Sequence, residues 1–305
     1  MIIDVHSHLG DILYPEGGQL IFKKGIKKQR GFDIIGIAEL SLYKTNPLSE
    51  WLLKKFCSNL ITKAGRARNA AGTLENMQLS MTAAGVIKTA CMPIVPYLTF
   101  EDLRKAQAVD PGIIPFTGID FTRTDDAENQ LKSDVAQGAR GLKLHPNIQK
   151  EPLDSQRTFT VVENFSQFNL PVLFHSGVTS YYLGPESEKF EIPSYGETAY
   201  ARKLVSAFPN VPFIVGHAGI FQYKETIGLL SGFKNTYVDT SFQPPNRIRE
   251  LIQAFGPERV LYASDWPWGD RRASVSAVRK ACRGDRSLEK LIYSENAARL
   301  LGLTS

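Results

Sequence analysis

An alternation sets the strongest limit on the fold. From Gly85 onward, short runs rich in Val, Ile, Leu and Phe alternate with longer segments patterned as helices. The runs are 86–95, 113–121, 139–145, 171–176, 212–217, 236–241 and 259–264, and an eighth, 2–7, opens the chain. Helices are expected at 99–109, where Thr99 is the N-cap, and at 125–137, 154–168, 195–208, 224–232, 246–255, 271–283 and 288–301. Strands alternating with helices pair in parallel through right-handed crossovers. Eight such units close a barrel, and 305 residues suit one domain over 1–305. The expected fold class is α/β, a (β/α)8 TIM barrel distorted by an inserted helical and loop region after the first strand. That insertion, about 10–83, is too long for a plain loop. It should hold a helix at 48–60 and another opened by Thr73 as N-cap, with the remainder covering the rim. A doubly wound open sheet competes, but it gathers ligands at a switch point. Here polar residues end the first, fourth, fifth, sixth and eighth strands.

The five histidines sharpen this picture: His6, His8, His145, His175 and His217 each end or follow an apolar run. In a parallel barrel those strand ends open onto one rim, where active sites sit. On an extended first strand alternate side chains share a face, so His6 and His8 are expected side by side, with Asp4 one step below. His6, His8 and His175 supply imidazole nitrogen, and Asp265, just after the eighth strand, supplies a carboxylate. That donor set suits zinc, and also manganese, iron or cobalt. Asp265 doubles as a candidate proton acceptor; its plainer alternative is a turn residue ahead of Pro267. His217 is the candidate general acid/base or oxyanion partner, and Gly216, Ala218 and Gly219 around it suggest room kept for a ligand.

Several residues are candidates for the substrate. Lys143 and His145 share a face of the fourth strand. Lys143 could be carboxylated and bridge two metals, could bind a substrate carboxylate, or could pair with a buried acid; the last two are favoured. His145 is a rim residue near the substrate or a hydrogen-bonding strand end. Arg123 is a candidate anion clamp, and Trp266 and Trp268 are candidates to wall an apolar pocket.

Composition narrows the setting. Cys57, Cys91 and Cys282 form no CxxC pattern, which argues against a disulfide framework and a cysteine zinc site. No run reaches the ~18 apolar residues of a membrane span. Asp4, His6 and His8 interrupt the N-terminal stretch without a basic leader, so no signal peptide is expected and a cytoplasmic location is. The net charge of +5 and the basic stretch 23–30 come without a nucleic-acid-binding motif. They favour an anionic small-molecule substrate over nucleic acid or a membrane as partner.

Taken in order, IIDVHSH, RGLKLHPN, LPVLFHSG, VPFIVGHAG, TYVDTS, RVLYASDWPW and ENAARLLGL make the chain resemble the amidohydrolase superfamily. The resemblance is to its amidohydrolase-related family 2 branch, which includes aminocarboxymuconate-semialdehyde decarboxylase. It implies a distorted barrel with one divalent metal, usually zinc. His6, His8, His175 and Asp265 would be its ligands, His217 the catalytic histidine, and a homodimer a candidate assembly. It also puts Lys143 where binuclear branches carry a carboxylated lysine. Two enzymatic readings follow: hydrolysis of an amide, ester or lactone through a metal-activated water, and non-oxidative decarboxylation of an aromatic or muconate-type acid. A metal-binding protein without turnover is the third reading, and it has no need of His217 beside an open position.

Overall fold

A computed structural model of the chain describes residues 1–15, 17–27, 32–42 and 57–303. Its barrel strands are shorter than the apolar runs that encode them. The first strand, Ile3–Ser7, pairs in parallel with Lys88–Cys91, which pairs with Ile113–Pro115. Thr117–Gly118 continues the third strand position and pairs with Leu142–Leu144, followed around the barrel by Val172–Phe174, Phe213–Val215, Thr236–Asp239 and Val260–Leu261. Pro115 has no N–H to give the ladder. Backbone bonds nevertheless cross this break, from Phe116 N to Cys91 O (3.0 Å) and from Thr117 N to Gly141 O (2.8 Å).

The two edges also meet. Val5 N donates to Tyr262 O (3.1 Å), Asp265 N to His6 O (2.8 Å) and His8 N to Trp266 O (2.6 Å). The expected eight-stranded parallel barrel is therefore the observed one.

Period-two alternation sorts most strand residues. Ile3, Val5, Ala90, Ile114, Leu173, Ile214 and Leu261 cluster together, with Ala297 and Leu301 of the last helical turns packed on them. Leu142, Leu144, Val172, Phe174, Phe213 and Val215 belong to the larger core shared with the helices. The helix caps follow local chemistry. Thr73 Oγ1 accepts from Asn76 N ahead of Leu74–Ala84, and Thr99 forms a reciprocal capping box with Asp102 ahead of Phe100–Val109. The final helix is interrupted by a π-turn, Leu291–Glu295.

Of the helix expected at 48–60 and the basic stretch 23–30, residues 48–56 and 28–30 lie outside the described residues. Ser58–Asn69 is helical, and so is Ile34–Leu42 within the insertion. Among the described residues no helix is long and apolar enough to cross a membrane.

One expectation from strand periodicity is corrected. Ile3 and Asp4 pair with Lys88 and Thr89, but Ser7 pairs with Cys91, so the first strand carries an extra residue. Such a bulge reverses the inward–outward alternation. Asp4 therefore leaves the face of His6. Its Oδ2 accepts from Arg271 Nε (3.0 Å) and Ser264 Oγ (2.5 Å) on the helix side of the strand.

Candidate metal centre

Three imidazoles and one carboxylate converge above the barrel core. Strand ends place His6 and His8, the loop after the sixth strand places His217, and the loop after the eighth places Asp265. His6 Nε2 and His8 Nε2 lie 3.6 and 3.3 Å from Asp265 Oδ1, and His217 Nε2 lies 3.9 Å from Asp265 Oδ2. One ligand atom each from His6, His217 and Asp265 falls within 4.8 Å of the others. All four residues are buried.

The opposite nitrogen of each ring is spoken for. His6 Nδ1 is 2.8 Å from Asp239 Oδ2, His8 Nδ1 is 3.2 Å from Met92 O, and His217 Nδ1 is 2.7 Å from Ser241 Oγ. A carbonyl or a carboxylate oxygen accepts, so His6 and His8 donate through Nδ1–H. Neutral imidazole has a single N–H, so both Nε2 atoms are acceptors: that of His8 faces Asp265, and that of His6 lies between Asp265 (3.6 Å) and the Lys143 amine (2.8 Å). Burial pushes the pKa of His6, His8 and His217 well down and that of Asp265 well up. Asp265 Oδ1 is buried without a hydrogen-bond partner among the described residues. Acceptors facing an orphaned carboxylate repel one another unless a cation lies between them, and the Lys143 amine reaches His6 while leaving Asp265 Oδ1 without a donor. This donor set of imidazole nitrogen and carboxylate oxygen fits a divalent transition metal.

Lys143 belongs to the same cluster. Its Nζ sits 2.8 Å from His6 Nε2, and burial pushes its pKa down to about 7 against the pull of Asp265 and Asp239.

Backbone strain is concentrated here as well. Asp265 has φ 56°, and His217, Ala218, Gly219 and Ile220 follow one another at φ 58°, 46°, 81° and 53°. Non-glycine residues in this region cost about 1–3 kcal/mol each and persist where the surroundings over-determine them. Gln243 Nε2 braces the turn by donating to His217 O (2.6 Å) and Ile220 O (3.1 Å). Gly216 does not keep room for a ligand, as the sequence suggested. A Cβ there would lie 2.8 Å from Phe174 O and 3.4 Å from His6 Cε1, so the glycine lets the fifth and sixth strands close on His6.

Of the other expected residues, His175 borders this group, its ring centroid 5.1 Å from that of His217. His175 stacks on His145, with ring centroids 4.3 Å apart. Its Nε2 is 3.0 Å from Gly177 O and its Nδ1 is 3.3 Å from Tyr181 OH. Both nitrogens are thus engaged outside the His6–His8–Asp265 group. His145 ends the fourth strand by capping the turn Pro146–Gln149.

A mostly apolar cavity opens over His217 and Asp265. Ile35 and Ile61 of the insertion, Tyr181, Phe242 and Trp268 wall it, and Arg247 supplies the one Lys or Arg among its described lining residues. Lys143, His145, Arg123 and Trp266 are not part of that lining. Arg123 is left exposed by a turn that Asp120 closes after the third strand. The Trp266 ring lies under the Arg271 guanidinium, 5.0 Å from its carbon, and borders a separate cleft with Arg68 and Asn76. Sequence reasoning missed Asp239, Ser241, Tyr181 and Arg247. The signal for the first two was present, since the seventh strand also ends in polar residues, Asp239-Thr240-Ser241.

No curated protein matches the chain. Among solved structures, it resembles an uncharacterised TIM-barrel protein from Bordetella bronchiseptica (TM-score 0.67, 17% identity, covering 99% of this chain and 98% of that one). It resembles 5-carboxyvanillate decarboxylase from Novosphingobium aromaticivorans, solved with manganese and 4-hydroxy-3-methoxy-5-nitrobenzoic acid (TM-score 0.65, 15% identity, 99% and 96% covered). A probable 2-pyrone-4,6-dicarboxylic acid hydrolase from Acinetobacter baumannii, with citric acid bound, is also similar (TM-score 0.58, 14% identity, 99% of both chains covered). At these identities the likeness is one of fold. The profile described as amidohydrolase matches residues 63–303, most of the chain, and the protein belongs to that amidohydrolase family.

Proposed function

We propose that the protein is a metal-dependent enzyme that hydrolyses an amide, ester or lactone bond of a small, carboxylate-bearing substrate. The observation that carries this is the buried cluster of Nε2 lone pairs around the unpartnered Asp265 Oδ1, next to an apolar cavity. His6, His8 and Asp265 would hold one divalent ion, zinc by donor type and manganese by analogy with the decarboxylase that holds it. Bound there, the ion would supply Lewis acidity, polarising a carbonyl or acidifying a water. His175, beside His217, would join the ligands by exchanging its bonds to Gly177, Thr179 and Tyr181 for the ion, as His6 would exchange its contact with Lys143. Asp265 and His217 Nε2 line the cavity floor and can hold or move a proton. Arg247 offers a planar charge to a substrate carboxylate, and Tyr181, Phe242 and Trp268 exclude water from the reacting bond.

A second reading, non-oxidative decarboxylation of an aromatic acid, is favoured by those same aromatic walls. It has support in the nitrobenzoic acid held by the similar decarboxylase. Metal analysis of purified protein, followed by parallel assays of hydroxybenzoate-type acids for CO2 release and of lactones and amides for hydrolysis, decides between the two. Protein that binds no divalent ion would end both.

A further inference from the structure

Asp239 ends the seventh strand and is fully buried. Its Oδ1 accepts the backbone N–H of His217 (2.9 Å) and of Ser241 (3.0 Å). An oxygen receiving two N–H donors carries no proton, whatever the charge of the carboxyl group. The Ser241 hydroxyl lies 2.5 Å from that oxygen, so its single hydrogen is given to Asp239. The same hydroxyl lies 2.7 Å from His217 Nδ1 and, with its hydrogen spent, can only accept there. His217 must therefore carry its proton on Nδ1.

We infer that Asp239 and Ser241 are positioning residues that fix His217 as the Nδ1–H tautomer and so present its bare Nε2 to the reacting centre. The other oxygen of Asp239 orients His6 directly, at 2.8 Å. One carboxylate thus sets two imidazoles, one by contact and one through a serine. It also holds the backbone of His217 in the left-handed conformation noted above. Resting His217 can take a proton at Nε2, but it cannot donate a hydrogen bond to an oxyanion from that atom until it has done so. Of the two roles that the sequence left open, the resting side chain is thus set for proton acceptance first.

The catalytic consequence rests on the enzymatic reading above, whereas the tautomer can be observed without turnover. The test is long-range proton–nitrogen NMR of the full, zinc-loaded chain labelled with 15N-histidine, with His217 assigned by its absence from His217→Asn. The wild type is expected to show a protonated Nδ1 and an unprotonated Nε2 for His217. Ser241→Ala should show a mixture or a reversal, and Ser241→Thr should keep the wild-type pattern. In turnover, Ser241→Ala should lower kcat by about 10²-fold at unchanged KM and metal content, with Ser241→Thr restoring the rate. A protonated Nε2 in the wild type overturns the inference, and that spectrum decides even where Ser241→Ala does not fold. An unaltered tautomer in folded Ser241→Ala overturns it too. The expected tautomers in a protein that turns over nothing would leave the inference standing and remove the enzymatic reading instead.

Discussion

The floor and the cover of the cavity are held in place by different means. On the floor, each functional side chain grows from a strand end or the loop that follows it, and the second nitrogen of each imidazole is tied to the barrel: His6 to Asp239, His8 to Met92 O, His217 to Ser241. The cover, Ile34–Leu42 and Ser58–Asn69, is held by side chains: Thr62 Oγ1 donates to Ser180 O (3.0 Å), Arg66 pairs with Glu186 (2.8 Å), Asn69 donates to Asp11, and one guanidinium joins the two helices to each other. Arg68 binds Asp33 (2.9 Å), Glu39 (3.0 Å) and Trp268 O (2.5 Å), and Glu39 in turn accepts from Asp270 N (2.7 Å). Gly65 adds a close approach: a Cβ there would fall 2.4 Å from the Trp268 ring, so glycine lets the second cover helix lie directly on it. A floor whose imidazoles are each braced can hold the precise geometry that chemistry needs. A cover tied through a few side-chain contacts at its periphery can change its wall residues without disturbing that geometry. The division predicts separable phenotypes.

The largest effect should come from the floor. Asp265→Asn removes the charge that three imidazole lone pairs face, and is expected to lower activity by about 10³-fold or more with loss of bound metal, read by elemental analysis. His175→Ala, whose nitrogens point elsewhere, should keep its metal. Loss of the ion from that variant would place His175 among the ligands and redraw the floor.

Next comes the tether. Arg68→Ala leaves Asp33 and Glu39 close together at the Ile34–Leu42 helix without their cation. Breaking a buried pair in this way costs about 3 kcal/mol, measurable by denaturant unfolding. Because the floor has its own braces, metal content should hold while KM rises. A variant that loses metal as readily as Asp265→Asn would show that floor and cover are one unit.

The same division explains what the sequence made legible. Apolar runs alternating with helical segments specify the barrel, because burying both faces of a parallel sheet demands them. The runs overshoot the ladders, as at 86–95, since Met92 and Ile94 stay buried beyond the last paired residue, Cys91. The ligand-type residues were visible because few residue types perform that chemistry and all of them sat at strand ends. The bulge in the first strand was not visible: period two puts Asp4 and His6 together, and no residue between them signals the extra step. Asp239 looked like an ordinary end to a strand until its two oxygens could be seen to serve two different histidines. Arg247 sat on an amphipathic helix, Pro245–Phe255, where a charge is normally solvated. In the fold that residue borders the cavity, its guanidinium packed on Tyr223 at 4.4 Å, which the sequence pattern does not announce.

Two arginines now measure how much the cover and rim contribute to binding. Arg247 lines the cavity and Arg123 does not. A charge-assisted pair to a carboxylate contributes about 1.5–3 kcal/mol, so Arg247→Gln should raise KM for an anionic substrate about 10- to 100-fold at nearly constant kcat. Truncating the same substrate to its neutral analogue should abolish the difference between Arg247→Gln and the wild type. Arg123→Gln, exposed in its turn after the third strand, should change KM by less than about twofold, within the usual range for a surface substitution. If steady-state kinetics reversed that order, the anion would be read from the third-strand side of the rim, and the cavity described over His217 and Asp265 would not be where the substrate lies.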